Sequence, residues 1–230
     1  MNVSDDSYKA ITHYQSPLTL TVLTDKLEAE GMSNIGALEI VAGEHGGLVL
    51  FPSPLDAEIY RQRHATICSN GDHMRVCPLS DFDLLSYARL RRGRFACSLV
   101  FGFSASPSHQ LTLHPGGDLQ TILIPMGFNL PRDAQGPVNF RFNLDTMEHI
   151  ESEWVRLGGH EHANALELAN GWSADKLQAK AAEALARIEL VSRKNGPGDH
   201  WTFYDVAARQ WRFGLTHDAR RQRIRPLPDP

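Results

Sequence analysis

The chain has 230 residues, 42% of them hydrophobic and 22% charged, with a net charge of −4. Such a chain can bury a real core as one large domain or two small ones, and its mild acidity excludes a globally basic nucleic-acid binder. Met1–Lys9 is polar, no run approaches the roughly 20 apolar residues that span a bilayer, and three cysteines make no disulfide framework, so a cytoplasmic protein with free thiols and no membrane partner is expected.

In chain order, Leu18, Leu20 and Val22 alternate with threonines and predict a strand. Thr24 then caps a short helix through Glu30, stopped by Gly31. Ala37–Val41 and Leu48–Phe51 flank a glycine-rich turn and read as a hairpin. Ser53 follows as an N-cap, with Pro54 at the first helical position and Asp56 at the third. That helix is expected to reach Arg63 and to bury Leu55, Ile59 and Tyr60.

Asn70-Gly71 is the favoured core of a two-residue type I′ turn, which sets a register. Cys68 then faces His73, and His64 faces Cys77. Ala65, Ile67, Met74 and Val76 form an apolar face opposite His64, Thr66, Cys68, His73, Arg75 and Cys77. After Pro78, Ser80 is read as the cap of a second helix running to Arg92, with Asp83 at its third position and Leu84, Leu85, Tyr87 and Ala88 at helical spacing. Two successive hairpin–Ser-x-x-Asp–helix units raise the question of an internal repeat.

Arg94–Phe103 and Leu119–Met126 are apolar strands, with a shorter one at Gln110–Leu113 and a Pro-Gly-Gly-Asp turn at 115–118. A loop over 127–137 leads to a strand carrying Val138, Phe140 and Phe142. Asp145 caps a helix to Leu157, ended by Gly158-Gly159. A short helix over Ala163–Ala169 and a long one from the Ser173 cap to Val191 follow. His200–Val206 and Gln210–Leu215 form a closing hairpin whose aromatics, Trp201, Phe203, Trp211 and Phe213, are expected on one buried face. The arginine- and proline-rich tail 217–230 has too little apolar surface to fold alone. The fold class is therefore α+β. A mostly antiparallel mixed sheet of hairpin–helix units spans 1–144, and a helical segment with its closing hairpin (145–216) packs on the same core.

The segments "LVLFPSPLDAEIY", "RVCPLSDFDLLSYA" and "RFACSLVFGFSAS" within Leu48–Thr112 resemble the SseB-like family of small bacterial proteins. The resemblance covers under a third of the chain and implies a non-enzymatic fold with no catalytic residues to carry over.

Two constellations carry chemistry-bearing residue types. His64, Cys68, His73 and Cys77 have a zinc-like spacing, but the predicted hairpin separates its two His/Cys pairs by four residues, about 13 Å at ~3.3 Å per residue. Zinc ligands lie about 2.0–2.3 Å from one ion, so a single site requires that the hairpin not form. Cys68 with His73 is also a possible thiolate–imidazole pair. Cys97, in an apolar strand, reads as core. Later, His149 and Glu153 share a helix face, and His160-Glu161-His162 follow the Gly-Gly stop, a spacing compatible with a transition metal and with Glu161 as general base. A solvated ion pair and a polar loop explain the same residues without metal.

No Gly-x-Ser-x-Gly, Walker-type loop, Gly-x-Gly-x-x-Gly or His-Glu-x-x-His occurs. The expectation is a non-enzymatic bacterial cytosolic module that binds another protein, in an accessory, adaptor or toxin-neutralising role. No cofactor, metal or catalytic residue is assigned, and nucleic acid is not an expected partner. The alternative is a metal-dependent hydrolase built on His149, Glu153, His160 and His162.

Overall fold

Leu48 and Leu50 enter one hydrophobic core while Val49 and Phe51 enter another. That period-2 alternation sets the architecture: a central sheet covered by helices on both faces. The computed structural model describes residues 13–15, 19–25, 37–40, 47–68, 73–84, 86–87, 94–129, 139–141, 144–194 and 198–216.

The axis of the sheet is β6 (Arg94–Ala105), the sixth of the strands β1 (His13–Gln15), β2 (Thr21–Asp25), β3 (Glu39–Ile40), β4 (Gly47–Leu50), β5 (Met74–Pro78) and β6. Strand β4 runs parallel to it at Cys97–Leu99 and pairs antiparallel with β3. On the opposite edge, β8 (Thr121–Asn129) pairs antiparallel along β6, with a bulge between Val100 and Gly102. The end of β6 carries β7 (Leu111–Leu113) and β11 (His200–Asp205), which leads to β12 (Gln210–Leu215). At Gly102 an added Cβ would lie 2.8 Å from both Thr202 O and Trp201 Cε3, so only glycine admits β11 this closely. Strand β10 (Leu190–Ser192) adds in parallel to β7, β9 (Asn139–Arg141) pairs in parallel with β1, and β2 pairs antiparallel with β5.

One face is covered by α1 (Pro54–Ala65) and α4 (Ala174–Ala186), which bury Leu55, Ile59, Tyr60, Leu177, Ala181 and Ala184. The other holds α2 (Leu144–Arg156) and α3 (His162–Ala169), with Met147, Ile150, Trp154 and Leu166 against Trp201 and Phe203. This is the expected α+β class with a mostly antiparallel mixed sheet and a closing hairpin. No helix among the described residues is long and apolar enough to cross a membrane.

Capping chemistry carries much of the local order. The Ser53 hydroxyl accepts from the Asp56 backbone N–H and donates to the Asp56 carboxylate, and Ser173 accepts from Lys176 N. Both helices start where expected, but α1 continues past Arg63.

That extension overturns the Asn70-Gly71 hairpin. His64 and Ala65 belong to α1, and the turn continues as Thr66 N donates to Arg63 O and Cys68 N to His64 O. Strand β5 pairs instead with β2, setting Cys77 opposite Val22 and Arg75 opposite Thr24. A helix already capped at Ser53 propagates at one hydrogen bond per residue, and β5 gains a partner strand buried on both sides, with Val22 in one core and Leu23 in the other. Residues 69–72 lie outside the described residues.

The same pairing corrects Thr24, which is a buried strand residue and accepts from Arg75 Nε rather than capping a helix. Ser80 sits in a 3-10 turn, Leu79–Asp81, and Asp83 is the cap, its carboxylate accepting from Ser86 N. Asp145 lies inside α2. Helix α4 ends at Ala186 rather than Val191, because Leu190–Ser192 finds an open edge at β7. The hairpin aromatics divide between faces: Trp201 and Phe203 enter the α2/α3 core, whereas Trp211 and Phe213 pack in the α1/α4 core. Leu85, residues 88–92 of the expected second helix, Val138, Phe142 and the 217–230 tail fall outside the described residues.

Candidate functional site at the end of helix α1

His64 lies on the last turn of α1, and Cys68 follows four residues later, just past the helix end, where its N–H still donates to His64 O. The Cys68 sulfur is 3.0 Å from His64 Nε2. On the other side of the ring, His64 Nδ1 is 2.7 Å from Asp118 Oδ1. A nitrogen that faces a carboxylate keeps its proton, so Nδ1–H donates to Asp118 and Nε2 offers its lone pair to the Cys68 S–H.

Asp118 is delivered by the tight turn between β7 and β8. Gly117 N donates to His114 O, and His114 N donates to Asp118 O. Gly117 has φ +95°, in the left-handed region. Arg63, beside His64 on α1, donates from Nε to Gly117 O at 2.9 Å. The helix end therefore holds the turn that supplies the carboxylate.

The third approach comes from the start of β5. His73 meets the His64 ring edge-on, with centroids 5.7 Å apart. Its Nε2 lies 4.0 Å from Asp25 Oδ1 at the end of β2. One ligand-type atom from each of His64, Cys68 and His73 lies within 4.8 Å of the others. All three residues are half-buried, so small molecules and ions can reach them. Tyr60 stacks against His64 at 6.3 Å. Burial, then the charges of Asp118 and Cys68, push its phenol well above the usual tyrosine range. It is therefore a neutral phenol beside the site.

The remaining cysteines are elsewhere. Cys77 is buried, and its thiol donates to Pro78 O. Cys97 is buried in β6. Burial pushes both thiols up. The four residues of the expected zinc spacing thus separate into three that meet and Cys77, which lies in the core.

The late His/Glu residues do not converge. His149 stacks on Phe101, Glu153 accepts from Arg156, and His160 is exposed. His162 is fully buried between Trp154 and Phe203, and neither ring nitrogen has a hydrogen-bond partner. Burial, opposed by the charge of Asp205, lowers its pKa to about 4. It is a core histidine. Among the described residues, the group that brings metal-ligating atoms together is His64, Cys68 and His73.

Asp118 is the site residue that sequence reasoning missed. Its Pro-Gly-Gly-Asp turn was legible, but nothing local linked it to a histidine 54 residues away. No family model matches the chain, and no curated protein or solved structure matches it at a significant level.

Proposed function

We propose that this chain works through a nucleophilic thiol, with Cys68 as nucleophile, His64 as its base and Asp118 as the group that orients His64. The observation that carries this reading is the unbroken contact line from the Cys68 sulfur through both nitrogens of His64 to the Asp118 carboxylate. Nucleophile, base and orienter within hydrogen-bond reach are the parts that divide acyl transfer into two easier steps.

In the first step Cys68 S bonds to the acyl carbon while its proton passes to His64 Nε2. His64 then protonates the departing alcohol or amine. In the second, water attacks the thioester, giving its proton to His64, and the Cys68 sulfur leaves and is reprotonated. The substrate class is an activated acyl group able to reach a half-exposed sulfur. Cys77 and Cys97, both buried, are internal controls.

The test is the rate at which each cysteine reacts with iodoacetamide, mapped by mass spectrometry, together with p-nitrophenyl acetate turnover. The expected outcome is Cys68 reacting faster than a cysteine in a short unstructured peptide, with a burst of one nitrophenolate per chain. His64→Gln should slow acylation by about a hundredfold, in the range general-base catalysis contributes. Asp118→Asn should slow it by at least about tenfold. A Cys68 that reacts like the peptide thiol, indifferent to both substitutions, overturns the reading.

A further inference from the structure

We infer that the same corner of the fold is a binding site for one divalent transition-metal ion of the zinc class, held by His64, Cys68 and His73. The nucleophile reading leaves His73 without a role, yet His73 brings a third ligand-type atom within 4.8 Å of the other two. A tetrahedral ion at about 2.0–2.3 Å from each ligand needs those atoms only about 3.3–3.8 Å apart. The Cys68 and His64 atoms stand at 3.0 Å and the His73 atom within 4.8 Å of both, so the first pair opens by a few tenths of an ångström and His73 swings in by up to about 1 Å to close on the ion.

The donor set selects the metal. One sulfur and two imidazoles suit zinc or cobalt and reject magnesium and calcium, which take oxygen ligands. Asp118 strengthens the case, since a histidine that ligates through one nitrogen commonly donates its other N–H to a carboxylate. His64 does so at 2.7 Å. Three protein ligands leave a fourth position for water or another small ligand, because Cys77 is held in the core.

Binding this ion would occupy the sulfur and the nitrogen that acyl transfer needs. Metal loading therefore switches the thiol off, a consequence that rests on the nucleophile reading.

The experiment is a cobalt(II) and zinc(II) titration of the tag-free full chain, with iodoacetamide protection measured in parallel. Wild type should take up one equivalent of cobalt, with the visible bands of tetrahedral geometry and a thiolate-to-metal absorption. Cys68→Ser should lose that absorption. His73→Ala should weaken affinity at least tenfold, with circular dichroism confirming its fold; His73→Asn serves if the alanine variant does not fold. Zinc should protect Cys68 in wild type, each variant being compared with its own metal-free rate. No saturable uptake near one equivalent, or uptake indifferent to His73, overturns the metal site. Uptake without any elevated Cys68 reactivity overturns the nucleophile reading and leaves the site standing. Reactive Cys68 that bound zinc fails to protect overturns the switch alone.

Discussion

Gly117 holds the site together from a distance. Its φ of +95° is one that residues with a Cβ adopt at a cost, and a Cβ there would lie 2.9 Å from the Ile67 side chain. Ile67 lies in the turn that carries Cys68 past the end of α1, and Arg63 grips the Gly117 carbonyl. Gly117→Ala is therefore expected to destabilise the protein by about 1–3 kcal/mol in urea unfolding. It should also slow Cys68 acylation by withdrawing Asp118 from His64. Full acylation in a destabilised variant would show that the turn does not position the carboxylate.

Between elements, single polar contacts join what hydrophobic burial alone leaves free to slide. Trp211 Nε1 on β12 donates to Ala184 O in the last turn of α4, at 2.9 Å. The bond fixes the end of that helix over the closing hairpin. Trp211→Phe keeps an aromatic ring but loses the donor. The expected cost is about 1–2 kcal/mol in urea denaturation, with amide exchange rising at the C-terminal turn of α4 and not in α1. Uniform loss of protection across both helices would indicate a packing effect instead.

Across the whole molecule, two buried titratable groups on opposite faces of the sheet pull stability in opposite directions with pH. Asp56, in the first turn of α1, is buried, and its pKa is raised to about 6, burial outweighing the Ser53 hydrogen bond. A carboxyl raised in the fold stabilises it below the unfolded value of 3.8, and that contribution is lost as pH rises through 6. His162 is lowered from 6.5 to about 4. Its contribution is complete above pH 6.5 and is lost as pH falls toward 4. At about 1.4 kcal/mol per pKa unit each is worth about 3 kcal/mol, so the two nearly cancel. Wild type is expected to change little between pH 4 and 6.5 on their account. Asp56→Asn should uncover a loss of stability toward acid, and His162→Phe a gain. Urea midpoints across that range measure both, and identical pH profiles for the two variants would refute the opposition.

The features legible in the residues alone were local ones. Ser53-Pro54 and Ser173 start helices because their hydroxyls satisfy orphan N–H groups within a few residues. The strand at Leu48–Phe51 and the closing hairpin were legible from apolar or aromatic runs bounded by turn residues, which are also local signals. Tertiary structure decided everything that depended on a distant partner. Asn70-Gly71 favours a hairpin in isolation, but β2 offered β5 a better edge, and α1 kept His64 while the turn after it carried Cys68. A protein-binding role without catalysis was expected because no catalytic set lies close together in the sequence. The set proposed above depends on a contact that spans 54 residues, from the end of α1 to a turn between β7 and β8. His162 shows the converse: its spacing invited a metal, and burial between Trp154 and Phe203 made it core. Local hydrogen bonding is written in neighbouring residues, whereas burial and convergence depend on which surfaces the folded chain brings together.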